Sequence, residues 1–140
     1  MITNHGIFEL DDDRLRVDHG ALWEFLSTEA YWGRFRTPEQ VRAQVASAWR
    51  VVAAYEGTAM VGFSRAWSDG VSSAYLGDVY VIRRCRSQGL ATAIVDTMIN
   101  TGPAAALRWM LHTADAHPLY ARFGFAPPGP DFLEWPRPNP

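Results

Sequence analysis

The sequence predicts an α+β fold, a mainly antiparallel mixed sheet flanked by helices, and three features of the chain predict it. Two early segments carry helix caps followed by apolar residues at helical spacing. The middle of the chain then changes period to β-rich runs split by Glu56-Gly57 and Asp69-Gly70. Finally, a helical stretch stopped by Gly102-Pro103 precedes one more β-rich run, Leu107–Thr113. Short turns join antiparallel neighbours, whereas a helix between two strands allows a parallel crossover.

In chain order, Gly6–Leu10 and Leu15–Val17 are the first strand candidates, around the acidic turn Asp11-Asp12-Asp13. Asp18 is placed to cap a helix reaching about Thr28, with Leu22, Phe25 and Leu26 on one face. Thr37-Pro38-Glu39-Gln40 opens a second helix: threonine at the cap, proline at the first helical position, and glutamine three residues past the cap. It is expected to run to about Trp49 and to bury Val41, Val45 and Trp49. Arg50–Tyr55, Ala59–Trp67 and Ser73–Ile82 form a meander. Strict alternation in the third run puts Tyr75, Gly77, Val79 and Val81 on one face and Leu76, Asp78, Tyr80 and Ile82 on the other. A helix from Gln88 to about Asn100 follows, with Ala91, Ile94, Val95 and Met98 as its buried stripe, and Asp115–Arg122 reads as a last short helix. The tail Pro127–Pro140 holds six of the nine prolines and is expected to lack regular structure.

Composition narrows the function classes. A chain of 140 residues suits a single domain with a core that needs no disulfide or metal staple. It is 48% apolar and has no apolar run near the roughly 20 residues that span a bilayer. The N-terminus lacks a basic-then-apolar leader layout, so the expectation is a cytoplasmic protein with no membrane partner. A net charge of -2 gives no basic footprint for nucleic acid. A lone cysteine, Cys85, and four scattered histidines argue against a metal site. The six tryptophans either fill the core or line a substrate cleft.

The chemistry concentrates in Val79–Thr92, where a strand runs into a basic loop and a helix opens near Gly89. The first amides of a helix lack backbone acceptors, and its dipole makes that end partly positive. Small residues at Ser87, Gly89 and Ala91 let a ligand approach the main chain, and with the arginines they suit a pyrophosphate. A solvated basic loop before an ordinary helix is the alternative. The loop is neither a P-loop nor a dinucleotide fingerprint, since both glycine patterns are missing.

The run Arg86-Ser87-Gln88-Gly89-Leu90-Ala91 resembles the R/Q-x-x-G-x-G/A motif of the GNAT superfamily of N-acetyltransferases. A later block, Ala116 through Phe125, resembles that family's Y-x-x-x-G-F segment, and the order of elements over residues 7–126 is similar too. The resemblance implies a GNAT-like fold with a coenzyme A cleft at splayed central strands. Acetyl-CoA would be the co-substrate. Backbone groups of Val79, Tyr80 and Val81 would pair with the pantetheine arm, and amides of Arg86, Ser87, Gln88, Gly89, Leu90, Ala91 and Thr92 would hold the pyrophosphate. The family often has proline where Arg83 stands and glycine at Ser87; Arg83 is either a phosphate contact or surface charge. Tyr120 would protonate the departing thiolate.

The general base stays open. Where relatives carry a carboxylate in the central strand, this chain has Tyr75. Asp78 is the only acid in that strand and is the catalytic candidate, although alternation turns it away from Tyr75 unless a bulge near Gly77 re-aims it. Asp115, equally suited to capping a helix, and His117 are alternatives. Tyr31, Trp32, Arg36, Arg65 and Trp67 are the candidates for the acceptor pocket. The resulting expectation is acetyl transfer to a primary amine of a small molecule or peptide by direct attack in a ternary complex. The alternative is a non-catalytic acyl-CoA sensor or partner-binding module. The sequence leaves a homodimer open. If Gly89 needs no positive φ, Gly89→Ala is expected to weaken coenzyme A binding with little effect on stability.

Overall fold

A computed structural model describes residues 1–30 and 35–136. The chain opens with a hairpin, β1 (Ile2–His5) and β2 (Phe8–Asp11), turning at Gly6 with φ +58°. Leu15–Val17 is not a strand: Arg14–Arg16 forms one 3₁₀ turn. Asp13 accepts the Leu15 amide at 2.9 Å, and Asp11 accepts the Asp13 amide at 3.0 Å. Such local side-chain acceptors compete with a strand ladder for the same N–H groups.

Helix α1 (His19–Thr28) starts at Asp18, which accepts the Ala21 amide at 3.0 Å, and buries Leu22, Phe25 and Leu26. Helix α2 (Pro38–Ser47) has both bonds of the capping box between Thr37 and Gln40 and buries Val41 and Val45. It stops short of Trp49, whose amide donates instead to Ala66 of the sheet at 2.9 Å.

Strands β3 (Arg50–Glu56), β4 (Ala59–Ser68) and β5 (Ser73–Val81) continue the antiparallel order, and β6 (Arg108–Leu111) joins β5 in parallel. The six strands lie in the order β1-β2-β3-β4-β5-β6. Between β5 and β6 runs helix α3 (Leu90–Asn100), and a short helix α4 (His117–Ala121) follows β6. Both sheet faces are covered, so β3 is buried from Arg50 through Tyr55. On one face Val52, Ala54, Val61 and Leu76 pack against Leu90, Ile94, Val95 and Met98 of α3. On the other, Val51, Ala53, Phe63 and Tyr80 meet α1 and α2. Each fully buried aliphatic side chain contributes roughly 1.5–3 kcal/mol. A Cβ on Gly62 would lie 2.7 Å from Cδ1 of Ile94, so glycine lets α3 sit this close.

Two irregularities shape the site. Arg65 pairs with Gly77 but Phe63 pairs with Tyr80, so Ser64 opposes both Asp78 and Val79 in a bulge, with Asp78 at φ +53°. The bulge flips the alternation: Leu76 and Val81 share the α3 face, while Tyr80 points to the α1–α2 face. The strict alternation expected for β5 therefore fails beyond Gly77. Secondly, β5 and β6 pair only from Ser73–Arg108 to Leu76–Leu111 and then part. The tail has no helix or strand through Pro136. No helix among the described residues is long and apolar enough to cross a membrane.

Candidate active site

A cleft of about 590 Å³ opens where β5 and β6 separate, lined among others by Arg36, Arg65, Trp67, Tyr75, Asp78, Asp115 and Tyr120. Beyond Leu76 the edge of β5 that faced β6 has no strand partner among the described residues, leaving main-chain groups for a ligand. A second cleft, about 280 Å³, lies at the start of α3 between Ser87–Thr92 and α4, with Arg86 and Arg122 at its walls. Helix α4 separates the two: Tyr120 lines the first, while Leu119 and Arg122 line the second.

The loop before α3 takes two left-handed steps, Ser87 at φ +64° and Gly89 at φ +75°. Gly89 is the cap residue and, with no side chain, makes no capping bond to the first amides of α3. Amides at a helix start, with the helix dipole behind them, have the chemistry that suits an anion. Not every residue of the motif serves this way. The Arg86 amide donates to Arg83 O at 3.2 Å and its Nε to Val81 O at 2.9 Å, so both are engaged by protein. The Gln88 carbonyl accepts from His5 Nε2 at 2.8 Å, and Gln88 lines neither cleft. Leu90 buries its side chain in the core, leaving only its amide for a ligand. Arg84 pairs with Glu56 at the surface, Arg83 is exposed outside both clefts, and Cys85 is buried. The positive φ of Gly89 fails the condition on which a stability-neutral Gly89→Ala rested.

Residues 13–125 match the model of the acetyltransferase (GNAT) family. The chain belongs to that family. The fold is similar to that of a Xanthomonas campestris pv. campestris protein assigned to the GNAT acetyltransferases, with 29% identity, TM-score 0.87, and 97% and 96% of the two chains covered. A Deinococcus radiodurans R1 protein assigned as an acetyltransferase superposes with TM-score 0.73 at 22% identity, over 96% and 93%. A Clostridium acetobutylicum protein assigned likewise and solved with acetyl-CoA gives TM-score 0.65 at 14% identity, over 97% and 96%. The comparison with curated proteins found no match.

Within this GNAT fold, Tyr120 is buried and meets Phe125 edge-on, with ring centroids 5.8 Å apart. Val79 lines the cleft at the strand split, while Val81, Ser87, Gly89, Leu90, Ala91 and Thr92 line the α3 cleft. The Tyr80 side chain is turned away, stacked on Phe25 at 3.9 Å, so only its main chain faces the β5 edge.

The bulge brings Asp78 into the cleft with Tyr75, correcting the face that alternation assigned to it. There it is held by Arg36 in a bidentate pair, both bonds 2.8 Å, and by Arg65 Nε at 2.6 Å. Burial raises its pKa, but hydrogen bonds from Arg36 and the charge of Arg65 outweigh this, and the net shift is downward. A carboxylate stabilised in its charged form is a poor proton acceptor, so Asp78 orders the cleft's arginines and is not suited to act as the base. Arg65 also lies over the Trp67 ring, 4.9 Å from its centroid. Asp115 lines the cleft, but Thr113, not Asp115, accepts the Ala116 amide before α4, at 3.0 Å. His117 is exposed and lines neither cleft. Tyr31 and Trp32 lie outside the described residues.

Three residues escaped the sequence reading. Arg122 flanks the α3 cleft, and its position on the last predicted helix was the available signal. His112 follows β6 at the end where parallel strands part, the usual place for ligands in such sheets. Glu134 reaches His112 from the proline-rich tail and had no local signal at all.

Proposed function

We propose that this protein transfers the acetyl group of acetyl-CoA to a primary amine of a small molecule or peptide, by direct attack with both substrates bound. One observation carries the reading: α4 sits between the two clefts, with Tyr120 on one and Leu119 and Arg122 on the other. A molecule with phosphates at the α3 amides and a thioester at the strand split would run past the Tyr120 ring. The left-handed steps at Ser87 and Gly89 and the open β5 edge fit such a molecule's pyrophosphate and amide-rich arm. Attack by a neutral amine expels a thiolate, and in this reading the Tyr120 hydroxyl protonates it.

The test pairs calorimetry with CoA release across a panel of amines. Tyr120→Phe keeps the packing on Phe125, so coenzyme A affinity is expected to hold while kcat falls about 10²–10³-fold. A folded protein that binds no coenzyme A sinks the proposal. The second reading, an acyl-CoA-binding sensor, is favoured by the capture of Asp78 between two arginines, which leaves β5 without a usable carboxylate base. Tight coenzyme A binding with no turnover of any amine would select it.

A further inference from the structure

Besides Arg36, Asp78 and Arg65, the cleft carries a chain of hydrogen bonds linking β5, the segment after β6 and the tail. The Tyr75 hydroxyl bonds to Nδ1 of His112, and Nε2 of His112 bonds to the carboxylate of Glu134. Tyr75 is held by stacking on Trp67, ring centroids 4.3 Å apart and planes 15° from parallel. Both Tyr75 and His112 line the cleft, and the His112–Glu134 pair is its outer end, with side chains 60% and 49% exposed.

We propose that Tyr75, His112 and Glu134 form a relay that removes a proton from the acceptor amine and delivers it to solvent. The inference rests on the acetyltransferase reading above. An ionised carboxylate only accepts hydrogen bonds, so Glu134 fixes the proton of neutral His112 on Nε2. Nδ1 then has a free lone pair and accepts from Tyr75. A bound ammonium passes one proton to the Tyr75 oxygen as the tyrosine's own proton moves to Nδ1. The nitrogen lone pair is freed to attack, Tyr75 ends neutral, and an imidazolium faces Glu134. The exposed imidazolium then loses its proton to water.

The charged groups around the relay agree with this direction of flow. Arg36, Arg65, Asp78 and Asp115 line the same cleft as Tyr75 and His112, and Glu134 closes the chain at its exposed end. Burial and the charge of Glu134 push the Tyr75 phenol up, with Arg65 pulling the other way. A phenol that stays protonated can hand protons on but does not store the negative charge.

The experiment uses the full chain with acetyl-CoA and the fastest amine of the panel, from about pH 6 to about pH 10, which spans the imidazole and ammonium ranges. Histidine ¹⁵N spectra of the protein alone are recorded alongside. The wild-type spectrum is expected to show His112 as the Nε2–H tautomer. Tyr75→Phe and His112→Asn are expected to lower kcat about 10²-fold near neutral pH and to move its acid limb up to the amine's own ionisation, with KM for acetyl-CoA unchanged. Glu134→Gln is expected to scramble the tautomer and lower kcat about tenfold. Tyr75→Phe retains an aromatic ring to stack on Trp67, and the other two side chains are exposed, so folding should survive each change. Variants with wild-type kcat and pH profile, or a wild-type Nδ1–H tautomer, overturn the relay while leaving the transferase reading intact. A wild type that turns over no amine overturns both.

Discussion

Gly89 offers the sharpest test of the cleft at α3, because its backbone and its surroundings predict separable effects. Its φ of +75° and ψ of 10° are left-handed, where an L side chain costs about 1–2 kcal/mol. Alanine also restricts the unfolded chain, which returns about 0.4–1 kcal/mol. A Cβ here would meet Nε2 and Cε1 of His5 at 3.4 and 3.5 Å, ordinary contacts that add no clash. The net loss for Gly89→Ala is therefore roughly 1 kcal/mol, or about 3–4 °C in Tm for a domain of this size. Relief of that strain turns the first amides of α3, so a bound pyrophosphate would lose about one charge-assisted hydrogen bond. That bond is worth about 1.5–3 kcal/mol, which weakens coenzyme A binding about 10–150-fold. Gly89→Asn tolerates the left-handed region better and should lose less of both. Calorimetric titration with coenzyme A and with pantetheine, which lacks the pyrophosphate, separates the two effects. The reasoning fails if Gly89→Ala lowers Tm yet binds coenzyme A like wild type, or weakens pantetheine equally.

Two further outcomes follow from the buried charges. Asp78→Asn keeps a residue that accepts φ +53° but leaves Arg36 and Arg65 without their shared carboxylate, a loss of about 2–4 kcal/mol by chemical denaturation. Because the folded pKa of Asp78 is depressed, its contribution is full above the unfolded value near pH 3.9 and fades as pH falls through the folded one. The stability gap between wild type and Asp78→Asn should hold above about pH 4 and close below it; a gap unchanged into acid would refute the assignment. Arg50→Met tests the end of α3, where the buried guanidinium donates to Thr97 O, Met98 O and Thr101 O at 3.1, 2.9 and 2.7 Å. Losing these capping bonds should cost about 2–4 kcal/mol with coenzyme A affinity of the folded protein unchanged, and an affinity loss would count against a purely structural Arg50.

The helices with side-chain caps were legible because their signals are local. Asp18 and the Thr37–Gln40 box act within four residues of themselves, and the structure places both caps as their spacing predicts. The meander was legible for the same reason, through period-2 runs and the turns at Gly57 and Gly70. The first hairpin was misplaced because Ile2–His5 is a short, largely open edge strand with little apolar patterning, whereas Asp11 and Asp13 mimic a strand turn. Trp49 was misread as helical because an indole at helical spacing carries no mark of the backbone bond to Ala66 that claims it.

At the site, the sequence determined the loop and the helix start: small residues at Ser87 and Gly89 before α3 and Ala91 in its first turn, and a tyrosine on the helix that follows β6. Those features need only short stretches of chain, since a loop conformation and a helix start are settled by their own residues. Tertiary structure alone decided the rest. Asp78 looked like a base until the bulge turned it onto Arg36, 42 positions away, and Arg65. Tyr75 looked like a missing carboxylate until the parting of β5 and β6 set it against His112, 37 positions on, and the tail returned Glu134. A residue's chemistry depends on the charges within a few ångströms of it. Residues so far apart in the chain become neighbours only when the sheet and its crossover bring them together.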